Sequence, residues 1–254
     1  MGRLKAAPTK TSPEGGTFDR HHPSATLMTH RLVTEVRAEL RIAADPVKAP
    51  QMQAYMKSLM PYRGVSAPVQ KALWRKIFGE HPLLPEAQWK SVALELWRSA
   101  TYREERYAAV AFTDLKVYLP YRTMAAMPMF EEMIVTGAWW DFVDAIAGHQ
   151  LGDVLRAEPR RMKPLMRRWS TDSHMWKRRA SILCQLGFKH DTDLDLLYDC
   201  IEPNLADKDF FIRKAIGWAL RQYAWTDAIE VRGYVNARRK RMSPLTIREA
   251  TKNI

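Results

Sequence analysis

Cysteine is nearly missing from this 254-residue sequence: Cys184 and Cys200 are the two it has, and no Cys-x-x-Cys or Cys/His ladder surrounds them. A disulfide framework and a structural zinc site are therefore both unsupported, and a reducing cytoplasm fits. No stretch approaches the ~18 consecutive apolar residues of a membrane span, and the first 25 residues lack the compact apolar block of a secretory signal. The expected reading is a soluble internal protein. Long Gly/Ser tracts are also missing, and the 15 prolines are spread through apolar-periodic segments, which excludes a wholly disordered or fibrous chain. There is no GxxxxGK[ST], no GxGxxG after a strand, no HExxH and no GxSxG, which counts against nucleotide-driven motors, dinucleotide enzymes, zinc proteases and serine hydrolases. His149, His174 and His190 stand isolated and read as capping or surface residues.

What the chain does have is positive charge. Forty Lys and Arg against 28 Asp and Glu leave a net charge of +12, so an anionic partner is worth testing. With 46% hydrophobic residues the chain can bury one sizeable core, and a single domain is the default. Residues 1–24, containing Pro8, Pro13, Gly15 and Gly16, read as a flexible extension before a domain over 25–254.

From about Ala25 onward the apolar residues recur at helical spacing, with no convincing run of strand alternation, so the expected class is all-α. The first helix is expected over 29–44, with Leu32, Val33, Val36 and Leu40 on one face before Asp45 and Pro46. A short one follows before Pro61, and another is expected to be capped by Ser66 and stopped by Gly79. Further helices are expected near 85–98, 101–117, 122–135, 140–155, 159–169, 173–186, 191–203, 208–223 and 225–236, and from Pro244 onward. Short loops between amphipathic helices call for antiparallel neighbours. Helical pairs spaced by about 35 to 40 residues suggest a HEAT-like solenoid with one long concave face, although a compact helical bundle gives a similar local pattern.

Three segments carry candidate chemistry. In EEMIVTGAWWDFVDAI, Trp140 and Asp144 are four apart and share a helix face, setting a carboxylate beside an indole; core packing and helix-terminal hydrogen bonding are the plainer alternatives. Asp141 is the more natural cap-region residue. In DSHMWKRRASILCQL, Lys177, Arg178 and Arg179 cannot all face the core edge of Ala180, Leu183, Cys184 and Leu186. The stretch from Arg160 to His190 contains nine Lys and Arg but a single acid, Asp172, which favours phosphate binding for the group. In FFIRKAIGWALRQYAW, Lys214, Trp218 and Arg221 fall opposite the apolar face, so Trp218 either packs on a neighbouring repeat or contacts a base or sugar. The run Arg238 to Arg241 is equally well explained by solvation, and Tyr55 reads as core-facing like Met52 and Leu59.

Together, AYMKSLM, ELW, EEMIVTGAWWDFVD, the Trp176 to Arg179 W-x-x-R and FFIRKAIGWALRQYA stand in an order that resembles the AlkD-like DNA alkylation repair glycosylases, over about Met52 to Ile254. The resemblance implies HEAT-like repeats and excision of cationic N3- and N7-alkylpurines from duplex DNA without base flipping, with tolerance of bulky adducts and an abasic site as product. It carries over Asp144 as the active-site carboxylate, Trp140 and Trp218 as aromatic walls near the deoxyribose, and Arg179 as a phosphate-contacting cation of the catalytic site. Tyr55 becomes a nearby DNA contact and Arg221 a further groove contact; Lys177, Arg178 and Lys214 are expected DNA-binding residues from the basic pattern of their own segments. No cofactor, metal, membrane or obligate protein partner is implied, and a bacterial member would be associated with the nucleoid. The extension before His30 and the extra basic residues Lys177 and Arg178 depart from the family pattern. A noncatalytic DNA-binding repeat protein, and then a helical interaction scaffold, are the competing readings.

Overall fold

The computed structural model describes residues 30–253; the expected flexible extension over 1–24 lies outside them. The described chain is all-α. Its helices are α1 (Arg31–Ile42), α2 (Lys48–Met56), α3 (Ala67–Glu80), α4 (Glu86–Arg98), α5 (Arg103–Thr113), α6 (Met127–Gly137), α7 (Trp140–Ile146), α8 (Gly152–Ala157), α9 (Pro159–Ser170), α10 (Met175–Leu183), α11 (Leu194–Ile201), α12 (Phe210–Ala224), α13 (Ala228–Arg238) and α14 (Pro244–Ala250). Among the described residues no helix is long and apolar enough to cross a membrane.

Local chemistry explains most of the boundaries. Asp193, Asp209, Asp227 and Ser243 each accept a hydrogen bond from an otherwise orphaned amide in the first turn of α11, α12, α13 and α14. His30 does the same for α1 through Nδ1, 3.2 Å from the Leu32 amide. Three expectations need correction. Ser66 occupies the cap position of α3 but its hydroxyl makes no capping bond, and Gly79 does not stop that helix, which runs on to Glu80 before His81 turns extended. The helix expected over 122–135 starts later: 3-10 turns at Lys116–Tyr121 and Met124–Ala126 precede α6, where Pro128 stands in the first turn, a place in which a missing N–H costs nothing. The helix expected over 140–155 is continuous but changes pitch, with a π segment over Ala147–Leu151 between α7 and α8.

The helices pack as a relay in which α5 lies against α3 and α7, α7 against α10, α10 against α12, and α12 against α14; α4 pairs with α5, α6 with α7, and α9 with α10 and α11. Buried side chains from Leu32 to Ala250 form one cluster, anchored by the fully buried Trp89, Trp97, Phe112, Phe130 and Phe142. Burying a side chain of this size contributes about 1.5–3 kcal/mol each. Phe142 packs edge-on against Trp97 with centroids 5.1 Å apart, which seats the start of α7 on α4 and α5. Gly217 allows an unusually close crossing of α12 and α14: a Cβ there would sit 2.4 Å from Cβ of Glu249 and 3.0 Å from the Thr246 carbonyl oxygen.

Candidate active site in a groove along α7 and α12

Helix α7 carries two carboxylates three residues apart, and each is held by an arginine from a different neighbour. Asp141, in the first turn, accepts from Arg103 Nη2 at 2.6 Å and Nε at 3.3 Å, from the Tyr107 hydroxyl at 2.5 Å, and from the amide of Phe142 at 2.9 Å. Tyr107 in turn meets the Tyr62 hydroxyl at 2.8 Å. Burial beside Asp141 pushes the Tyr107 phenol far above its usual value, and burial pushes Tyr62 up to about 12, so both stay protonated as hydrogen-bond donors.

One turn on, Asp144 accepts from Arg179 Nε at 2.6 Å and Nη2 at 2.7 Å, a bidentate pair that also fixes the planes of both groups. Arg179 is 4% exposed, and its Nη1 donates to the carbonyl of Phe211. Burial raises the Asp144 pKa above the usual carboxylate value and the nearby Asp141 adds to this, while Arg179 pulls it back down. The result is a carboxylate set in a low-dielectric wall with one strong counter-ion.

Three adjoining cavities make a continuous lining past these residues. The first, about 440 Å³, lies between Met52, Tyr55, Tyr62, Tyr107, Trp140 and Asp141. The second, about 160 Å³, shares Tyr107 and Asp141 with the first and adds Ala145 and His149. The third, about 400 Å³, shares Ala145 and His149 with the second and is completed by Asp144, Gly148, Trp218 and Gln222. Asp144 and Trp218 thus face one space, whereas Trp140 faces another with Tyr55. Tyr55 is not core-facing as its spacing suggested: it is 79% exposed, and Leu59 is fully exposed, because α2 is short and ends at Lys57 in the left-handed conformation, leaving Met56 as its buried residue.

The cations divide differently from the sequence pattern. The block from Arg160 to His190 is largely neutralised by carboxylates from other elements: Lys163 by Asp193 at 2.6 Å, Arg167 by Asp199 at 2.7 Å, Lys177 by Asp172 and Glu131 at 2.6 and 2.9 Å, and Arg178 by Asp207 at 3.0 Å. Lys214 and Arg221 share Glu249 of α14, at 2.9 and 2.7 Å. Arg238 and Arg241 share Glu202. Among the described residues no group of three His, Cys, Asp or Glu could hold a metal ion.

A family model described as "DNA alkylation repair enzyme" matches residues 36–254. The chain belongs to this family. A structurally similar protein is described as a predicted DNA alkylation repair enzyme from Enterococcus faecalis, with a TM-score of 0.74 and 29% identity over 83% of this chain and 96% of that one. No curated protein matches the sequence. The AlkD-like resemblance drawn from the quoted segments therefore holds at the level of the family. Within this repair-enzyme chain, sequence spacing missed Arg103, Tyr107 and His149, whose placement depends on helices 30 or more residues away from their partners. A double acid on α7 was the available signal for Arg103, since a buried carboxylate requires a counter-ion.

Proposed function

We propose that the protein is a DNA glycosylase that hydrolyses the N-glycosidic bond of cationic N3- and N7-alkylpurines in duplex DNA, leaving an abasic site. The observation that carries this reading is Asp144 facing the same space as Trp218 while clamped from behind by Arg179. An N-alkylated purine already bears positive charge, so the C1′–N bond breaks with its electron pair moving onto the base, which leaves neutral without an added proton. Positive charge then develops on the sugar. An ionised Asp144 stabilises that oxocarbenium-like sugar and orients a water whose oxygen bonds to C1′ as its proton passes to the Asp144 carboxylate and on to solvent. The indole face of Trp218, which lines the same cavity as Asp144, adds attraction to a cationic sugar.

Arg179 takes a different part from the phosphate contact implied by the family resemblance. Three of its five N–H groups are engaged, two on Asp144 and one on Phe211, and the side chain is buried. We read it first as the residue that orients Asp144 and keeps it ionised. Reading the relay of helices as a HEAT-like solenoid, a single domain over 25–254, makes the three linked cavities its concave face. Tyr55 and Trp140 then lie at one end of the bound duplex, with Lys177, Arg178, Lys214 and Arg221 as flanking contacts after exchange of their carboxylate partners. An open groove of this kind fits recognition without base flipping and room for bulky adducts.

The test is incubation with duplex DNA containing N7-methylguanine, with released base and DNA binding measured together for the wild type and Asp144→Asn. Release by the wild type and its loss in the variant, with binding kept, is the expected result. Binding without release by the wild type overturns the reading for methylated purines and favours a noncatalytic DNA-binding protein.

A further inference from the structure

His149 belongs to the π segment Ala147–Leu151, five residues after Asp144. In a regular α-helix residues five apart point well away from each other; the wider turn brings both to the lining of one cavity, with Trp218 opposite. His149 also lines the adjoining cavity beside Tyr107 and Asp141, so it stands where the two spaces meet. Its side chain is 62% exposed, in contrast to the buried Arg179 that holds Asp144. Nδ1 is 2.9 Å from Asp114 Oδ2, at the end of α5, which leaves Nε2 as the free ring nitrogen.

We propose that His149 is a DNA-binding residue whose imidazolium donates through Nε2 to a backbone phosphate next to the nucleotide attacked at Asp144. This rests on the reading of the groove as a duplex-DNA site. The surrounding charges favour it. Arg179 is committed to Asp144, Lys214 and Arg221 to Glu249, and Arg122 to Asp153 and Asp114, so His149 is the cationic donor that is both exposed and at the meeting of the two cavities. A phosphate in reach of Nε2 makes the hydrogen bond a charge-assisted one.

The histidine also makes this contact titratable. Its hydrogen bond to Asp114 raises the His149 pKa above 6.5; partial burial opposes this, the charges of Asp114 and Asp153 reinforce it, and Arg122 works against it. Asp144 and Asp141 are the other ionisable groups lining the two cavities it borders, with the Tyr107 phenol. A raised pKa means that the cation persists above pH 6.5 and is lost as pH rises through the raised value, so its part in DNA affinity follows the same direction.

The experiment measures dissociation constants of the full chain for undamaged duplex DNA between pH 6 and 8.5 at several salt concentrations, for the wild type, His149→Gln and His149→Arg. Wild-type binding is expected to weaken as pH rises. His149→Gln is expected to lose roughly fivefold in affinity at pH 6 and to flatten the pH dependence, with a salt slope shallower by about 0.9. His149→Arg is expected to bind tightly at every pH. Wild-type pH and salt slopes retained in His149→Gln overturn the assignment. PH-dependent binding through His149 without release of N7-methylguanine supports the assignment and overturns the glycosylase reading instead, so the two fail separately.

Discussion

Arg179 of α10 donates two hydrogen bonds, at 2.6 and 2.7 Å, to the two oxygens of Asp144 on α7. The pair is almost wholly buried, and the third bond of the guanidinium, to Phe211 at the start of α12, ties three helices to one carboxylate. The arrangement aims a charged group at the groove while burial pushes it toward neutrality, and the arginine decides the balance.

The pH profile follows from that balance. Because the Asp144 pKa is raised above 3.8, the ionised fraction, and with it base release, is expected to fall as pH drops through a midpoint above the ordinary carboxylate value. Arg179→Met removes the lowering influence, so the acid limb moves to higher pH. Single-turnover release of N7-methylguanine against pH measures both. An acid limb that stays in place in the variant counts against Arg179 as the group that keeps Asp144 ionised.

Trp218 and Trp140 face different cavities, so their removal separates sugar stabilisation from DNA seating. Trp218→Ala is expected to lower the release rate by about tenfold, in line with a desolvated cation–π contact worth ~1–2 kcal/mol. Trp140→Ala is expected to act more on affinity, since it shares its cavity with the exposed Tyr55. Rate constants at saturating enzyme, beside dissociation constants for the same duplex, distinguish the two.

In the proposed DNA-binding groove, Glu249 is the intramolecular competitor of DNA for Lys214 and Arg221, which it pairs at 2.9 and 2.7 Å. The Lys214 hydrogen bond, with that of Arg221, holds the Glu249 carboxyl below its usual range, so these pairs stand above that range and are lost as pH falls through the lowered value. At neutral pH, Glu249→Gln is expected to free both cations and tighten duplex binding by about threefold, with a steeper salt dependence. Fluorescence titration across salt concentrations reads this directly.

The crossing of α12 and α14 tolerates no side chain at Gly217, where the nearest obstacles are Cβ of Glu249 and a backbone carbonyl. Gly217→Ala is expected to destabilise the fold by about 1–3 kcal/mol through forced separation of the two helices. Gly233→Ala, inside α13 where a Cβ meets nothing within 4 Å, serves as the control and is expected to stabilise by about 0.5–1 kcal/mol in the same thermal melts.

Much of this protein is legible one residue at a time. Amphipathic spacing shows α1 and α12 because burial of one helix face repeats every three or four residues, and Ser243 announces α14 because a cap acts on the amide three residues ahead. The quoted aromatic and acidic segments also point to the repair family before any fold is known. Tyr55 escapes this logic, since the same spacing that puts Met56 inside leaves Tyr55 outside once α2 stops after nine residues. The basic block escapes it too: Lys163, Arg167 and Arg178 are neutralised by carboxylates about 30 residues further along the chain, which no local charge count can register.

The sequence by itself determined the helical class, most helix positions and the residue types of the candidate site, because each depends on interactions within a turn or two. Only the tertiary structure decided which cation meets which anion, that Arg179 faces Asp144 rather than solvent, and that His149 lines the same cavity as Asp144. Those are relations between separate helices, and the net charge of +12 acquires a direction only once packing has matched positive groups such as Lys163, Arg167, Arg178 and Arg179 with partners.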